Sequence, residues 1–77
     1  MDIDLANVVV HIDETLDQAR RRALEDSLRA EEGVVSVGLR DDAPHLMVVA
    51  YNPRRTSAQH VLERARSGGL HAELVGL

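Results

Sequence analysis

Two Thr-x-x-Gln sequences, one in each half of the chain, most strongly constrain how this chain folds. A threonine followed three residues later by glutamine is typical of a capping box, in which the two side chains satisfy backbone amides at the start of a helix. Thr15 and Gln18 therefore predict a first helix that runs to about Glu31. Thr56 and Gln59 predict a second helix in the same way.

Each predicted helix has one apolar face and is followed by glycine. Gly33 is predicted to end the first helix and Gly68–Gly69 the second, because glycine readily adopts the backbone conformation found just after a helix. Apolar or small residues recur every three or four positions, which predicts that one side of each helix is buried. These positions are Leu16, Ala19, Ala23, Leu24, Ser27 and Leu28 in the first helix, and Ala58, Val61, Leu62 and Ala65 in the second.

Four segments rich in aliphatic residues predict strands, at residues 5–12, 34–40, 45–51 and 70–75. In the first, alternation places Ala6, Val8, Val10 and Ile12 on one face and Asn7, Val9 and His11 on the other. The second is closed by a turn at residues 41–44. The third contains an unbroken apolar run, residues 46–50, so the pattern does not decide which of its faces is buried.

The order of these elements is β-α-β-β-α-β, which predicts an α+β fold of the ferredoxin-like type. In this fold both helices cover one face of a four-stranded antiparallel sheet, and the other face stays open. With 77 residues the chain is predicted to be one domain, residues 1–77, because a chain of this length supports one hydrophobic core.

Composition excludes several classes of function. The chain has no cysteine, which removes disulfides, thiolate metal ligands and thiol catalysis. A net charge of −4 argues against a nucleic-acid partner. No apolar run spans a bilayer and the first residues are acidic, so we expect no membrane association and a cytoplasmic location. No catalytic motif is recognisable, and we expect that the protein is not an enzyme. All basic residues apart from histidine are arginine, which suggests a bacterial gene.

Three stretches of the sequence resemble the heavy-metal-associated (HMA) domain family, the module of copper chaperones and of the N-terminal arms of metal-pumping ATPases. Leu24 to Val37 is similar to the end of the first helix and the second strand of that family. The segment Val49–Pro53 is similar to its strand-ending V-x-Y-D-P, and Gly69–Leu74 to its closing G-Y-x-A-x-L. The resemblance covers nearly the whole chain, and it implies the same ferredoxin-like fold and a role in handling heavy metals.

The chain departs from that family at its metal motif, G-M-x-C-x-x-C. Counting back from Gly33, the two cysteine positions fall at about Asp17 and Arg20. An arginine side chain cannot ligate a metal, and one carboxylate is a hard ligand with no preference for Cu(I). Thiolate copper transfer is therefore not expected.

Histidines offer a different metal site. In the predicted topology the end of strand one and the starts of strands three and four lie at one rim of the sheet, where His11, His45 and His71 occur. Alternation points His11 and His71 to the open face, and His45 joins them if Leu46, Val48 and Ala50 face the helices. With a carboxylate from Asp13, Glu14 or Asp42, these histidines would suit one Zn(II), Ni(II) or Cu(II) ion. The alternative is that all three are ordinary surface histidines.

The open sheet face suggests a second kind of function. Whichever way strand three faces, aliphatic side chains including Val9 are predicted on the uncovered side of the sheet. A monomer rarely leaves a large apolar patch exposed to water. A protein partner or a second copy of the chain is therefore expected on this face, and a metal-free interaction module is the alternative to metal handling.

Overall fold

The structure is a computed structural model that describes residues 4–40 and 42–75. Six elements follow one another in the predicted order. They are β1 (Ala6–Ile12), α1 (Gln18–Arg29), β2 (Val34–Arg40), β3 (Ala43–Tyr51), α2 (Ala58–Arg66) and β4 (Ala72–Val75). No helix among the described residues is long and apolar enough to cross a membrane.

The four strands form one sheet in the order β2-β3-β1-β4, and each neighbouring pair is antiparallel. Strand β1 lies between β3 and β4, so the end of β1 lies beside the starts of the other two. Both helices pack on the same face of the sheet, which confirms the predicted ferredoxin-like fold.

The core lies between that face and the helices and is almost entirely aliphatic. Alternation in β1 is confirmed, since Val8, Val10 and Ile12 are buried, and Leu24 and Leu28 are the buried residues of α1. Ala19 and Ala23, predicted on the buried side of α1, are exposed. The rest of the core consists of Val37, Met47, Val49, Tyr51, Val61, Leu62, Ala65 and Ala72.

The predicted capping boxes are wrong, although the helices they announced exist. The N-cap of α1 is Asp17, whose carboxylate accepts a hydrogen bond from the amide of Arg20 at 2.8 Å. In α2 the N-cap is Ser57, whose hydroxyl accepts from the amide of His60 at 3.1 Å. Aspartate and serine are at least as good as threonine at this position, and both occur after the threonine that was predicted to serve.

The ends of the helices are also earlier than predicted. Helix α1 stops at Arg29 with Ala30 as its C-cap, rather than continuing to Glu31. Gly33 lies beyond the cap, in the turn to β2, with a positive φ of 95°. A methyl group at Gly33 would lie 2.9 Å from Cβ of Arg55, so this turn needs glycine for both its backbone conformation and its close packing.

Strand β2 contains an irregularity that alternation does not predict. Its register against β3 shifts between Val34 and Ser36, so Val35 is an extra residue in a bulge and is 58% exposed. Val34 packs against the core instead, opposite Tyr51. Strict alternation along residues 34–40 predicts Val35 on the same face as Val37, and the bulge makes that prediction wrong.

Strand β3 begins at Ala43, earlier than predicted, so the tight connection from β2 is shorter than residues 41–44; residue 41 lies outside the described residues. Strand β4 starts at Ala72, later than the predicted residue 70.

In β3 it is Met47, Val49 and Tyr51 that face the helices, and Leu46 and Val48 that face outward. His45 was predicted to share the open face only if Leu46, Val48 and Ala50 faced the helices, and Leu46 and Val48 do not.

Candidate functional site

The end of β1 and the starts of β3 and β4 lie at one rim of the sheet, as predicted. His11 lies directly opposite Leu46 of β3 on one side and Glu73 of β4 on the other. Beyond the end of β1, the amide of Asp13 donates a 2.9 Å hydrogen bond to the carbonyl oxygen of His71. The start of β4 is thus fixed beside the residues that follow β1.

Three donor side chains converge at this rim: His11, Asp13 and Glu73. One ligand atom from each lies within 4.8 Å of those of the other two. His11 and Asp13 are two residues apart, so they lie on the same side of the chain, and Glu73 is the cross-strand neighbour of His11. The face of the sheet away from the helices, here called the open face, carries His11 and Glu73 as well as Val9, Leu46, Val48 and Val75.

The ring of His11 is constrained on one side. Its Nδ1 atom is shielded from solvent and lies 3.2 Å from Oδ1 of Asp13, but the two atoms are not aligned for a hydrogen bond. The side chains of His11 and Asp13 are otherwise 38% and 64% exposed. A polar nitrogen is therefore held at the end of β1, close to a carboxylate, with no hydrogen-bond partner among the described residues.

His45 lies next to His11 but is not one of the three converging residues. The two imidazole rings stack, with centroids 5.9 Å apart and planes inclined by 24°. Nδ1 of His45 lies 2.8 Å from the carbonyl oxygen of Ile12, so this nitrogen carries the hydrogen and donates it. The lone pair of the neutral ring is then on Nε2. The predicted proximity of His11 and His45 is found, although alternation along β3 places His45 on the side of Met47.

His71 is engaged elsewhere at the same rim. Its backbone amide donates to both carboxylate oxygens of Glu14, at 2.8 and 3.0 Å, and its Nδ1 lies 2.7 Å from Oε2. These hydrogen bonds lower the pKa of Glu14, and the carboxylate raises the pKa of His71. The three predicted histidines therefore do not converge on one point, and Glu14 serves His71 rather than His11.

Of the three carboxylates predicted near the rim, only one converges with His11 among the described residues. Asp13, one of the three alternatives predicted, is part of the converging set, whereas Asp42 lies in the connection between β2 and β3 and is not. Glu73 was not predicted as a ligand. Alternation already placed it on the open face, but the sequence does not give the register of β4 against β1 that sets it opposite His11.

Asp17 and Arg20, which the count from Gly33 places at about the cysteine positions of HMA domains, lie at the start of α1. They are joined by the hydrogen bond from the Arg20 amide to the Asp17 carboxylate that caps α1. The start of this helix is therefore stabilised by a cap and presents no pair of soft ligands.

Comparison with known proteins supports the fold directly. No protein-family model matches the sequence, and no curated protein matches it. Solved structures do. Oxidised MerP from Ralstonia metallidurans superposes with a TM-score of 0.83 at 16% identity, covering 95% of this chain and 100% of that one. The N-terminal domain of a potential copper-translocating P-type ATPase from Bacillus subtilis, in its Cu(I)-loaded state, gives 0.83 at 23% identity, covering 95% and 90%.

A structure described as the CopZ metallochaperone gives a TM-score of 0.76 at 14% identity and covers 91% of this chain and 100% of that one. The fold implied by the resemblance to HMA domains is therefore confirmed along nearly the full chain. At these identities the similarity is one of backbone, and the chain has no cysteine with which to reproduce thiolate chemistry.

Proposed function

We propose that this protein is a cysteine-free relative of the HMA domains that handles a transition metal ion, Zn(II), Ni(II) or Cu(II), through imidazole and carboxylate ligands. The ligands come from the rim that carries His11, His45 and His71. The supporting observation is the convergence of His11 with two carboxylates, within 4.8 Å, at the end of β1. The proposal places the protein in the cytoplasm and assigns it no catalysis.

The chemistry of the rim favours this reading over a set of ordinary surface histidines. Imidazole and carboxylate together bind borderline and hard divalent ions, whereas Cu(I) prefers sulfur. The rings of two of the three histidines stack, and the orientation of one ring is fixed by a carbonyl oxygen, as is common for histidines that bind metals. A metal would therefore meet side chains whose positions are already restricted.

Isothermal titration of the intact chain with Zn(II), Ni(II) and Cu(II) tests the proposal. We expect stoichiometric binding of at least one of these ions, and loss of most of the affinity in a variant with His11, His45 and His71 all changed to alanine. His60→Ala is the matched control, because His60 is an exposed histidine on α2, away from the rim. Binding to the wild type no tighter than to the triple variant would remove the proposal.

A second candidate function rests on the open face. Leu46, Val48 and Val75 are 36%, 41% and 38% exposed there, and Val9 lies between Val48 and Val75 in the sheet. An interaction module that uses this surface to bind a second copy of the chain would bury the patch. Analytical ultracentrifugation separates the possibilities: a dimer that Val48→Arg converts to monomer supports this function, and a strictly monomeric wild type counts against it.

A further inference from the structure

We infer that the metal ligands are His11, Asp13 and Glu73 on the open face, and that this set selects Zn(II) and chemically similar divalent ions over Cu(I). The inference rests on the proposed function and makes it specific. It excludes His71 as a ligand.

The pairing of β1 with β4 brings the three ligand side chains together. Glu73 is directly opposite His11 in the β1–β4 ladder, and residues paired in this way have Cβ atoms about 4.5–5.5 Å apart. Asp13 follows on the same side two residues later, and its amide is hydrogen-bonded to the carbonyl oxygen of His71 at 2.9 Å. The three donors therefore sit on two adjacent backbone segments tied together on either side of the cluster.

Two carboxylates and one imidazole give the cluster more negative than positive charge. The carboxylates of Asp13 and Glu73 lie within 4.8 Å of each other, and like charges at that distance repel. No arginine among the described residues forms an ion pair with either of them. Arg66 lines a cleft together with Asp13 and Glu73, but it forms no ion pair with either carboxylate, and its Nε donates to the carbonyl oxygen of Ala72 at 2.9 Å. A divalent ion would neutralise both carboxylates and use the imidazole lone pair.

The ligand types decide which metals fit. One imidazole and two carboxylates provide one nitrogen donor and oxygen donors, a set that Zn(II) accepts and that offers Cu(I) no sulfur. Three protein ligands on a solvent-facing surface leave at least one coordination position for water or for a donor from another molecule. Such a site can exchange its ion with another carrier without unfolding.

The other two histidines are expected to matter less. His71 is held by Glu14 through three contacts, and its ring nitrogens are not among the donor atoms that converge with His11. His45 contacts the ring of His11 and is a positioning residue, because stacking limits the rotation of that ring. Its removal should weaken binding less than removal of Glu73.

Zn(II) titration of single-residue variants tests the ligand set. Asp13→Asn and Glu73→Gln keep the shape of each side chain and remove its charge. We expect each to weaken Zn(II) binding by about tenfold or more, the range found even when supporting residues of metal sites are changed. His71→Ala and Glu14→Gln form the matched pair from the same rim, with an expected change below about threefold. Circular dichroism confirms that each variant is folded.

Two further measurements complete the test. NMR of the imidazole protons should show Zn(II)-dependent shifts at His11 at stoichiometric metal that are larger than those at His71. Competition with a Cu(I)-specific chelator should show no Cu(I) retained by the protein.

Several results would overturn the inference. If His71→Ala abolishes binding and Glu73→Gln does not, the ligand set is wrong while metal handling stands. If Cu(I) is held more tightly than Zn(II), the assigned class of ion is wrong. If the wild type binds no metal, both the inference and the proposed function are wrong.

Discussion

Glu14 and His71 show how a single pair of side chains stabilises the start of β4. Glu14 follows β1 and His71 precedes β4, and the carboxylate of Glu14 accepts hydrogen bonds from both the backbone amide and the ring of His71. The pair is exposed to solvent, so the energetic effect is small, but the charge states of the two groups are linked.

We expect Glu14→Gln to lower the pKa of His71, because the neutral amide no longer stabilises the imidazolium. An NMR titration of the His71 ring measures this change, with His60 of the same sample as an internal reference. An unchanged pKa in the variant would contradict the observed pairing.

The pH dependence of this interaction has a definite sign. The pKa of Glu14 is lowered from 4.5, so its contribution is present above that value and is lost as the pH falls through the folded pKa. The pKa of His71 is raised from 6.5, so its contribution is present below 6.5 and is lost as the pH rises through the folded pKa. The two together stabilise the fold most between pH 4.5 and pH 6.5.

At the level of residues, sequence could predict part of the candidate site. His11 follows from alternation in a clear strand and its position at the rim from topology, whereas Asp13 was one of three carboxylates offered for the rim, with Glu14 and Asp42. To predict Glu73 as a ligand, one would have to know the register of β4 against β1, and the sequence of a short strand does not give that register. The side of the sheet on which His45 lies could not be predicted, because residues 46–50 are apolar on both faces of β3. Packing against the helices decides which face is buried.

Among the elements, α1 provides the clearest contrast between sequence pattern and structure. Thr15 and Gln18 match the capping-box pattern, yet Asp17 caps the helix. The helix was predictable because its apolar face and its start signals fall within a few residues of each other. The choice of cap was not, because Asp17 and Thr15 compete for the same orphan amides and the better acceptor is adjacent to the first helical residue.

We expect Asp17→Ala to lower the free energy of unfolding by about 1 kcal/mol, the usual cost of losing an N-cap. Thr15→Ala should change it by less than about 0.5 kcal/mol, as is normal for surface substitutions that remove no such contact. Urea denaturation followed by circular dichroism measures both, and Asp17→Asn, which keeps a cap acceptor, should behave nearly as wild type. A larger loss for Thr15→Ala than for Asp17→Ala would show that the capping box forms after all.

The turn between α1 and β2 is the second element with a specific requirement. Gly33 and Gly69 both have positive φ, 95° and 84°, but only at Gly33 would a methyl group meet other atoms within 4 Å. Gly69→Ala should therefore cost about 1–2 kcal/mol for the backbone conformation alone. Gly33→Ala should cost more, because Arg55 and Thr56 must also move. Thermal or urea unfolding of the two variants compares them, and equal losses would mean that the contacts at Gly33 relax freely.

For the whole molecule, topology is what turns distant residues into neighbours. Periodicity and order were sufficient to predict the sheet, because each element has one buried side and only a few arrangements bury all of them. The same topology joins the end of β1 to the start of β4, so a metal at the rim would link the first and last described strands. Such a link should be visible in the stability of the entire fold.

We expect Zn(II) to raise the melting temperature of the intact protein. A ligand that binds only the folded state, at a free concentration 100 times its Kd, stabilises that state by about 2.7 kcal/mol. For a domain of this size, about 1 kcal/mol corresponds to roughly 4–8 °C, so the expected shift is about 10 °C or more. Differential scanning calorimetry with and without Zn(II) measures it.

Glu73→Gln provides the decisive comparison for this shift. At the same Zn(II) concentration it should lose most of the stabilisation, because one of the two carboxylates at the rim no longer carries charge. Its metal-free melting temperature should stay equal to or above that of the wild type, since the repulsion between Asp13 and Glu73 is relieved. A full Zn(II)-induced shift in this variant would place the metal elsewhere on the molecule, and a fall in its metal-free stability would show that Glu73 stabilises the fold without any metal.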